Sequence, residues 1–460
     1  MHKEGIAIIG IGCRFPGGAN DTASFWKLLK EGREAVGEVP PDRWNVERFY
    51  DAEPDLAGKS IARRGGFVDG IDQFDPQFFG ISPREAPYVD PQHRLLLETA
   101  WEAMEDAGLV LDLDRGTDVA VFVGISHNDY HIIQGTPWDS SGISPHSPTG
   151  SAHSIAANRI SYCFNLRGPS VAMDTACSSA LTAVHAACEH IRAGRGDTAL
   201  AGGVTVMITP GGFIGFSQAS MLSPEGRCAA FDASANGFVR GEGAGMVLLK
   251  RLSQALADGD PIHGVIIGTA LNQDGHTNGI SLPSPEAQAR LVRDACADAG
   301  ITPSQIGFVE AHGTGTAVGD PIEAHALAEA LCAGRPADAP LTIGSVKTNL
   351  GHLETAAGVA GLVKAVLVLK HRQIPASLHF ETPNPNIDFE GLKLRVNTAL
   401  EPFPETKGKR MVGVNSFGFG GANAHIILEE APSRPHLEHR NTPEERAWPM
   451  VLSARSEEAL

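Results

Sequence analysis

The chain has 460 residues, 42% hydrophobic and 20% charged, a composition that buries a large core and excludes a disordered polypeptide. Lys and Arg number 37 against 54 acids, and the net charge of -17 argues against broad adhesion to nucleic acid or an anionic membrane; only a local basic patch would suit an acidic partner. Seven cysteines (13, 163, 177, 188, 228, 296, 332) are scattered without a CxxC pair, which excludes a disulfide scaffold or zinc ribbon and fits a reducing compartment.

In chain order, residues 6–9 are a short apolar strand, too short for a secretion signal, so a cytoplasmic location is expected. Gly10-Ile11-Gly12 mimics a dinucleotide fingerprint, but Phe15 stands at the third glycine position and Pro16-Gly17-Gly18 removes the phosphate-binding helix. Asp90-Pro91 caps a helix carrying Leu96, Leu97, Ala100, Trp101 and Met104, which Gly108 ends. Residues 119–123 read as a strand, and 135–154, rich in Ser, Gly, Pro and His, as a long irregular loop over a site or interface. A strand at 171–173 runs directly into a helix with Leu181, Val184, Ala187, Cys188 and Ile191 on one face.

Residues 198–224 lack charge over a length that could cross a bilayer, but Pro210-Gly211-Gly212 divides them into two buried elements and a turn. Arg240-Gly241-Glu242-Gly243-Ala244-Gly245 has neither the strand nor the lysine of a phosphate loop and reads as structural. Strands follow at 265–267, 308–310 and 341–346. Helices open at Ser284-Pro285, ending at Gly300, and at Asp320-Pro321, with Glu323 at the capping-box position. The alternation argues an α/β fold with buried strands. A boundary falls near 431, where composition shifts to Pro, Arg, Glu and His.

Four constellations carry chemical potential. Cys177 falls on a tight strand-to-helix turn, where free backbone N–H groups and the helix dipole favour a low-pKa thiolate nucleophile; the plain alternative is a buried free cysteine. His312 leaves strand 308–310 in a Gly/Thr loop, and Lys347 and His352 follow strand 341–346. The two histidines stand at matching strand ends, and Lys347 beside them would orient a ring or hold a carboxylate rather than sit in solvent. The glycine-rich stretch 415–425 aims a backbone N–H at an oxyanion or is a plain hairpin. The sequence separation of Cys177 and His312 overlaps that of papain-like proteases, whose Cys-Gly-Ser-Cys-Trp context is absent. An acyl-binding scaffold without chemistry would have lost Cys177 or a histidine.

Six ordered blocks, at 8–17, 90–94, 174–179, 310–316, 347–352 and 415–423, resemble the β-ketoacyl synthase family, specifically the ketosynthase domain of bacterial-like type I polyketide synthases. The resemblance runs from Ile6 to about Glu430. It implies a thiolase fold, a five-layer αβαβα sandwich of two pseudo-symmetric halves, 1–259 and 260–430, with 431–460 starting a linker to an acyltransferase domain of the same megasynthase. It implies that Cys177 accepts an acyl chain from acyl carrier protein, that the amides of Cys177 and Phe419 hold the oxyanion, and that Phe419 gates the acyl pocket. His312 and His352 would support decarboxylation of a malonyl-type extender, Lys347 would organise them, and Thr314 and Thr316 would bind the phosphopantetheine arm. The reaction would be decarboxylative Claisen condensation in a cytoplasmic homodimer, with no metal, no bound cofactor, no nucleic acid and no membrane. A non-elongating ketosynthase that only transfers acyl chains, or a cysteine thioester hydrolase, are the rival readings. Ala180 replaces a common third serine, and His127-Asn128-Asp129-Tyr130 is less typical of modular enzymes, so modular and iterative use both stay open.

Overall fold

The computed structural model describes residues 3–136, 138–405 and 408–433, with isolated positions 450, 452 and 457. The expected linker from 431 onward lies almost wholly outside the described residues. Ten strands build the frame: β1 Ile6–Arg14, β2 Ala120–Gly124, β3 Ser170–Met173, β4 Thr198–Thr205, β5 Gly243–Arg251, β6 Gly264–Gln273, β7 Phe308–Glu310, β8 Leu341–Gly344, β9 Met411–Phe417 and β10 Ala422–Glu429. Six helices cover or separate them: α1 Pro91–Asp106, α2 His153–Phe164, α3 Ser179–Arg192, α4 Pro285–Ala299, α5 Gly319–Leu331 and α6 Ala357–His371.

Hydrogen bonding orders the first five strands β1-β5-β4-β2-β3 and the last five β6-β10-β9-β7-β8, which is the same order twice. The senses repeat as well. β2 is parallel to β3 and β4 while β5 is antiparallel to β4 and β1; β7 is parallel to β8 and β9 while β10 is antiparallel to β9 and β6. An antiparallel β1–β6 pairing, with Ile6 opposite Ile266, joins the halves. The strand Leu394–Val396 extends the β8 edge.

Helices repeat in the same way. α1 covers β1 and β5, with α2 beside it on β2 and β3; α4 covers β6 and β10, with α5 packed against it. Between the sheets, α3 lies on β2 and β4 and α6 on β9, and the two helices touch. The result is five layers. Leu181, Val184, Leu362 and Val366 share the middle core, whereas Leu96 and Ile160 belong to one outer core and Val292 and Leu327 to the other. Every residue of α6 from 357 to 369 is buried, as expected of a helix with neighbours on all sides. Truncating Leu362 to Ala there would cost about 2–5 kcal/mol. Lys364 is tolerated in this layer because Glu310 Oε2 lies 2.6 Å from its Nζ.

Several expected elements form as read. Asp90 accepts from Gln92 N to cap α1, and Ser284 accepts from Ala287 N to cap α4, whose left-handed Gly300 ends it. The uncharged stretch forms β4, buried as read, whereas its second element, the helix Gly211–Gln218, starts on the expected turn and buries only Phe213 and Ser217. No helix among the described residues is long and apolar enough to cross a membrane.

Other expectations need correction. The strand at 6–9 continues to Arg14, so Gly10 and Gly12 lie inside β1; a Cβ there would stand 1.9 Å from Ala103 O and 2.1 Å from Thr99 O, and the glycines let α1 lie against the sheet. The run at 265–267 is the middle of the longer β6, and the segment 135–154 is not wholly irregular: Ser147–Ser151 is helical and α2 starts at His153. Asp320 is not a cap. It lies within α5, and both it and Glu323 turn to the Gly/Thr loop.

Candidate active site

The connections after β3, β7 and β8 converge with the β9–β10 hairpin on one cavity of about 590 Å³, bordered by Cys177, His312, His352 and Phe419. Cys177 sits in the five-residue link between β3 and α3. Ala176 before it has φ +56°, so the chain turns sharply and presents the next side chain. Asp174 Oδ1 accepts from Ala176 N at 2.8 Å, and Ser179 Oγ accepts from Thr175 N at 2.9 Å, holding the elbow from both sides. Ser416 Oγ donates to Cys177 O at 2.7 Å and ties the elbow to the hairpin.

The expected low-pKa thiolate is not what this site holds. Burial pushes the Cys177 thiol up to about 12, the Glu354 carboxylate adds to the rise, and the Lys347 cation and the amides of Phe419 and Cys177 offset only part of it. Desolvation thus outweighs the nearby cation and amides and favours the protonated thiol at rest. Both amides lie near enough to the sulfur to favour its charged form, so both stand beside the reacting centre. Phe419 is 50% exposed at the hairpin tip, edge-to-face with Phe216 across the cavity wall.

His312 and His352 meet edge-to-face with ring centroids 5.4 Å apart. Their positions are not equivalent along the chain. His312 lies two residues beyond β7, whereas β8 ends at Gly344, not at 346, and a helical turn Lys347–Leu350 carries the chain on to His352. His312 Nδ1 accepts from Phe417 N at 3.3 Å, and His352 Nδ1 accepts from Glu354 N at 3.1 Å. Both hydrogen bonds assign the ring proton to Nε2. Burial and the nearby Lys347 cation push His312 well below its usual range and His352 to about 3, so both rings are neutral donors.

Lys347 is only 4% exposed. Burial lowers its pKa, against the pull of the Glu310 and Glu323 carboxylates. Thr314 and Thr316 border the cavity with their hydroxyls 3.2 Å apart. Thus the structure brings all seven singled-out residues, Cys177, His312, His352, Lys347, Phe419, Thr314 and Thr316, to one place. Among the described residues, no cluster of three His, Cys, Asp or Glu side chains is disposed to hold a metal ion, and all seven cysteines are free thiols.

Sequence reasoning missed the acids that build this site. Glu323 accepts from His312 N, Gly313 N and Asn415 Nδ2, locking the histidine loop to β9. Asp320 accepts from Phe231 N and Gly315 N, and burial pushes its carboxyl up to about 7. Glu354 binds Arg240 Nε at 2.5 Å and also His127; burial works to raise its carboxyl, but these partners hold it far below the usual carboxylate range. Arg240 and Glu242 confirm the structural reading of the glycine-rich run: Glu242 accepts from Val68 N and Met207 N and pairs with Arg43. A signal for Glu354 existed, since it lies two residues after His352, but nothing local tells a buried acid from a solvated one.

Comparison with known proteins decides the family. The family description "Beta-ketoacyl synthase, N-terminal domain" matches residues 3–255, and "Beta-ketoacyl synthase, C-terminal domain" matches 263–381. The chain belongs to the β-ketoacyl synthase family. A further match, "Ketoacyl-synthetase C-terminal extension", spans 383–460. The ketosynthase is 50% identical over 93% of its length to one of the phenolphthiocerol/phthiocerol polyketide synthase subunits of Mycobacterium tuberculosis, covering 23% of that protein. It is 49% identical to another of these subunits from the same organism, covering 93% of this chain and 27% of that one. The chain thus spans about a quarter of these curated relatives. Among solved structures, the ketosynthase from module 6 of the Bacillus subtilis 168 bacillaene synthase aligns with a TM-score of 0.87 at 42% identity, covering 94% of this chain and 73% of that one. The oxazolomycin ketosynthase domain of Streptomyces albus JA3453 aligns with a TM-score of 0.87 at 40% identity, covering 94% and 76%. The fold is the thiolase fold expected from the resemblance, and the protein is a condensing acyltransferase of the polyketide synthase type.

Proposed function

We propose that this ketosynthase takes an acyl chain from the phosphopantetheine arm of an acyl carrier protein onto Cys177 and condenses it with a malonyl-type unit on carrier protein. The observation that carries this reading is the facing pair of neutral histidines, each keeping a proton on Nε2, beside a cysteine whose sulfur meets two backbone amides. Cys177 sulfur attacks the thioester carbonyl while the amides of Cys177 and Phe419 stabilise the oxyanion. The carrier thiol leaves with the proton that the cysteine gives up. The malonyl unit then loses carbon dioxide; its enolate oxygen accepts from the Nε2–H groups of His312 and His352, and its carbon attacks the acyl-Cys177 carbonyl, expelling the Cys177 thiolate, which takes a proton from solvent. Lys347 holds both rings neutral and the loop acids in place, and Thr314 and Thr316 bind the arm.

This reading divides the halves near Gly259, and the family matches to 3–255 and 263–381 on either side support it. The remaining partners belong to this reading: a downstream acyltransferase domain, a second copy of the chain meeting the open edge of β3, where Val171 is exposed, and a cytoplasmic setting.

Intact-mass spectrometry tests it. After incubation with an acyl thioester, acyl mass must appear on the parent and not on Cys177→Ala, and added malonyl carrier protein must become a β-ketoacyl species. Acylation without elongation by any extender would assign a transfer-only enzyme, and release of free acid without condensation a hydrolase.

A further inference from the structure

Lys364 lies in the middle layer, on the helix α6 whose residues 357–369 are all buried, and it is itself 0% exposed. Its Nζ stands 2.6 Å from Glu310 Oε2 and 5.6 Å from the centre of the Phe308 ring, both on β7. Gly361, one turn earlier, makes room for the contact, since a Cβ there would stand 3.3 Å from Glu310 Cγ. An ion pair sealed in a core loses in desolvation most of what it gains in attraction, and an apolar pair of the same volume would serve stability as well. The charge of Lys364 therefore calls for a reason other than stability.

That reason lies on the other side of Glu310. Glu310 Oε1 accepts from Val346 N at 2.5 Å, and the next residue is Lys347. Of the carboxylates that oppose the lowering of the Lys347 pKa by burial, Glu310 acts most strongly and Glu323 next. Glu323 is committed to its loop: its Oε1 accepts from His312 N and Asn415 Nδ2, and its Oε2 from Gly313 N. Glu310 is shared between two lysines, and its Oε2 meets Lys364 at ion-pair distance but outside hydrogen-bond geometry. Two buried ammonium groups thus face two buried carboxylates. Lys347 is in turn the leading charge that keeps His312 and His352 from taking a proton. The other titratable or charged groups around the rings are Glu354, with Arg240 and His127 on it, Glu323 and Asp320 beneath the His312 loop, and Cys177 and Cys228 near Lys347. Among the described residues Lys364 forms an ion pair with none of these, only with Glu310. Without Lys364, the uncompensated Glu310 carboxylate would draw the Lys347 ammonium to itself and away from the rings.

We propose that Lys364 is a positioning residue for decarboxylation: it compensates the Glu310 carboxylate against α6 and so leaves the Lys347 charge beside the rings of His312 and His352. This rests on the roles proposed above for Lys347 and the two histidines. Lys364 touches neither the substrate nor the rings and acts through Glu310 and Lys347.

The experiment follows the acetyl-pantetheine formed from malonyl-pantetheine by the full chain between pH 5.5 and 7.5, with Lys364→Met, Lys364→Gln and the double variant Lys364→Met/Glu310→Gln. The parent rate should vary less than about twofold. In Lys364→Met a ring returns toward the ordinary histidine value, and the rate should fall about tenfold from pH 7.5 to 5.5. Lys364→Gln keeps a donor for the carboxylate without the charge; it should show the same acid limb and stays readable if the Met variant does not fold. The double variant removes the carboxylate that draws Lys347, and it should return both the flat profile and the urea midpoint lost in Lys364→Met. A flat profile in folded Lys364→Met or Lys364→Gln would overturn the proposal. So would an acid limb that persists in the double variant, or an equal loss at every pH, which assigns Lys364 to packing alone. Failure of the parent to decarboxylate malonyl-pantetheine at any pH would instead refute the underlying function and take this proposal with it.

Discussion

The link from β3 to α3 and the link from β8 to α6 occupy the same place in the two halves, yet they do different work. The first is five residues, 174–178, and uses a positive φ at Ala176 to thrust one side chain out. The second is twelve residues, 345–356, with a helical turn of its own, and buries Lys347, His352 and Glu354. A repeated frame gives two strand ends facing one cavity, and the lengths of the links decide which supplies the nucleophile and which supplies His352, whose ring meets that of His312 from the loop after β7. Strand order was duplicated, whereas chemistry was divided.

The largest test of that division is at the short link. Cys177→Ala should abolish acyl uptake, with a loss of at least about 10³-fold, since among the described residues no other thiol borders the cavity; residual acylation above that level would move the nucleophile elsewhere. Next, His352→Ala and His312→Ala should each slow condensation by about 10²–10³-fold while leaving self-acylation of Cys177 measurable, because each removes one donor to the developing enolate. Equal loss of both half-reactions would show that the rings serve the elbow as well.

Glu354→Gln sharpens the comparison at the junction of the links. It leaves the buried Arg240 guanidinium uncompensated, so stability should fall by about 3–5 kcal/mol, read from the shift in urea midpoint. Removing its charge should also lower the Cys177 pKa, and alkylation at pH 8 should quicken. An unchanged midpoint would mean that Arg240 finds another partner.

Two pH profiles give smaller effects. With the thiol pushed up to about 12, iodoacetamide alkylation of Cys177 should keep rising about tenfold per pH unit past pH 9; a plateau near pH 8 would restore the thiolate expectation. His312 and His352 have folded-state values below the ordinary 6.5, so they stay neutral as pH falls through that value. Malonyl decarboxylation should therefore vary less than about twofold between pH 5.5 and 7.5 on their account. An acid limb near 6.5 would show that at least one ring becomes protonated.

Much of this was legible in the residues. Asp90, Ser284 and Gly300 mark helix ends that form as read because capping depends on local backbone geometry. Cys177, His312, Lys347, His352 and Phe419 each stand in an unusual local context, so each could be singled out. The thiol's protonation state was misjudged, since a helix start is local and desolvation is not. Asp320 and Glu323 looked like a capping pair because spacing alone cannot show that a loop from β7 folds back onto them.

By itself, then, the sequence determined the α/β class, the family and the residues that carry chemistry, because apolar periodicity, caps and ordered motifs are properties of neighbouring residues. Only the tertiary structure decided that strand order repeats, that Lys347, Glu354 and Arg240 are buried together, and which nitrogen of each histidine holds the proton. Most of those facts arise where segments distant in the chain meet, as at Arg240 and Glu354, and burial there sets the energy of every charge and hydrogen bond.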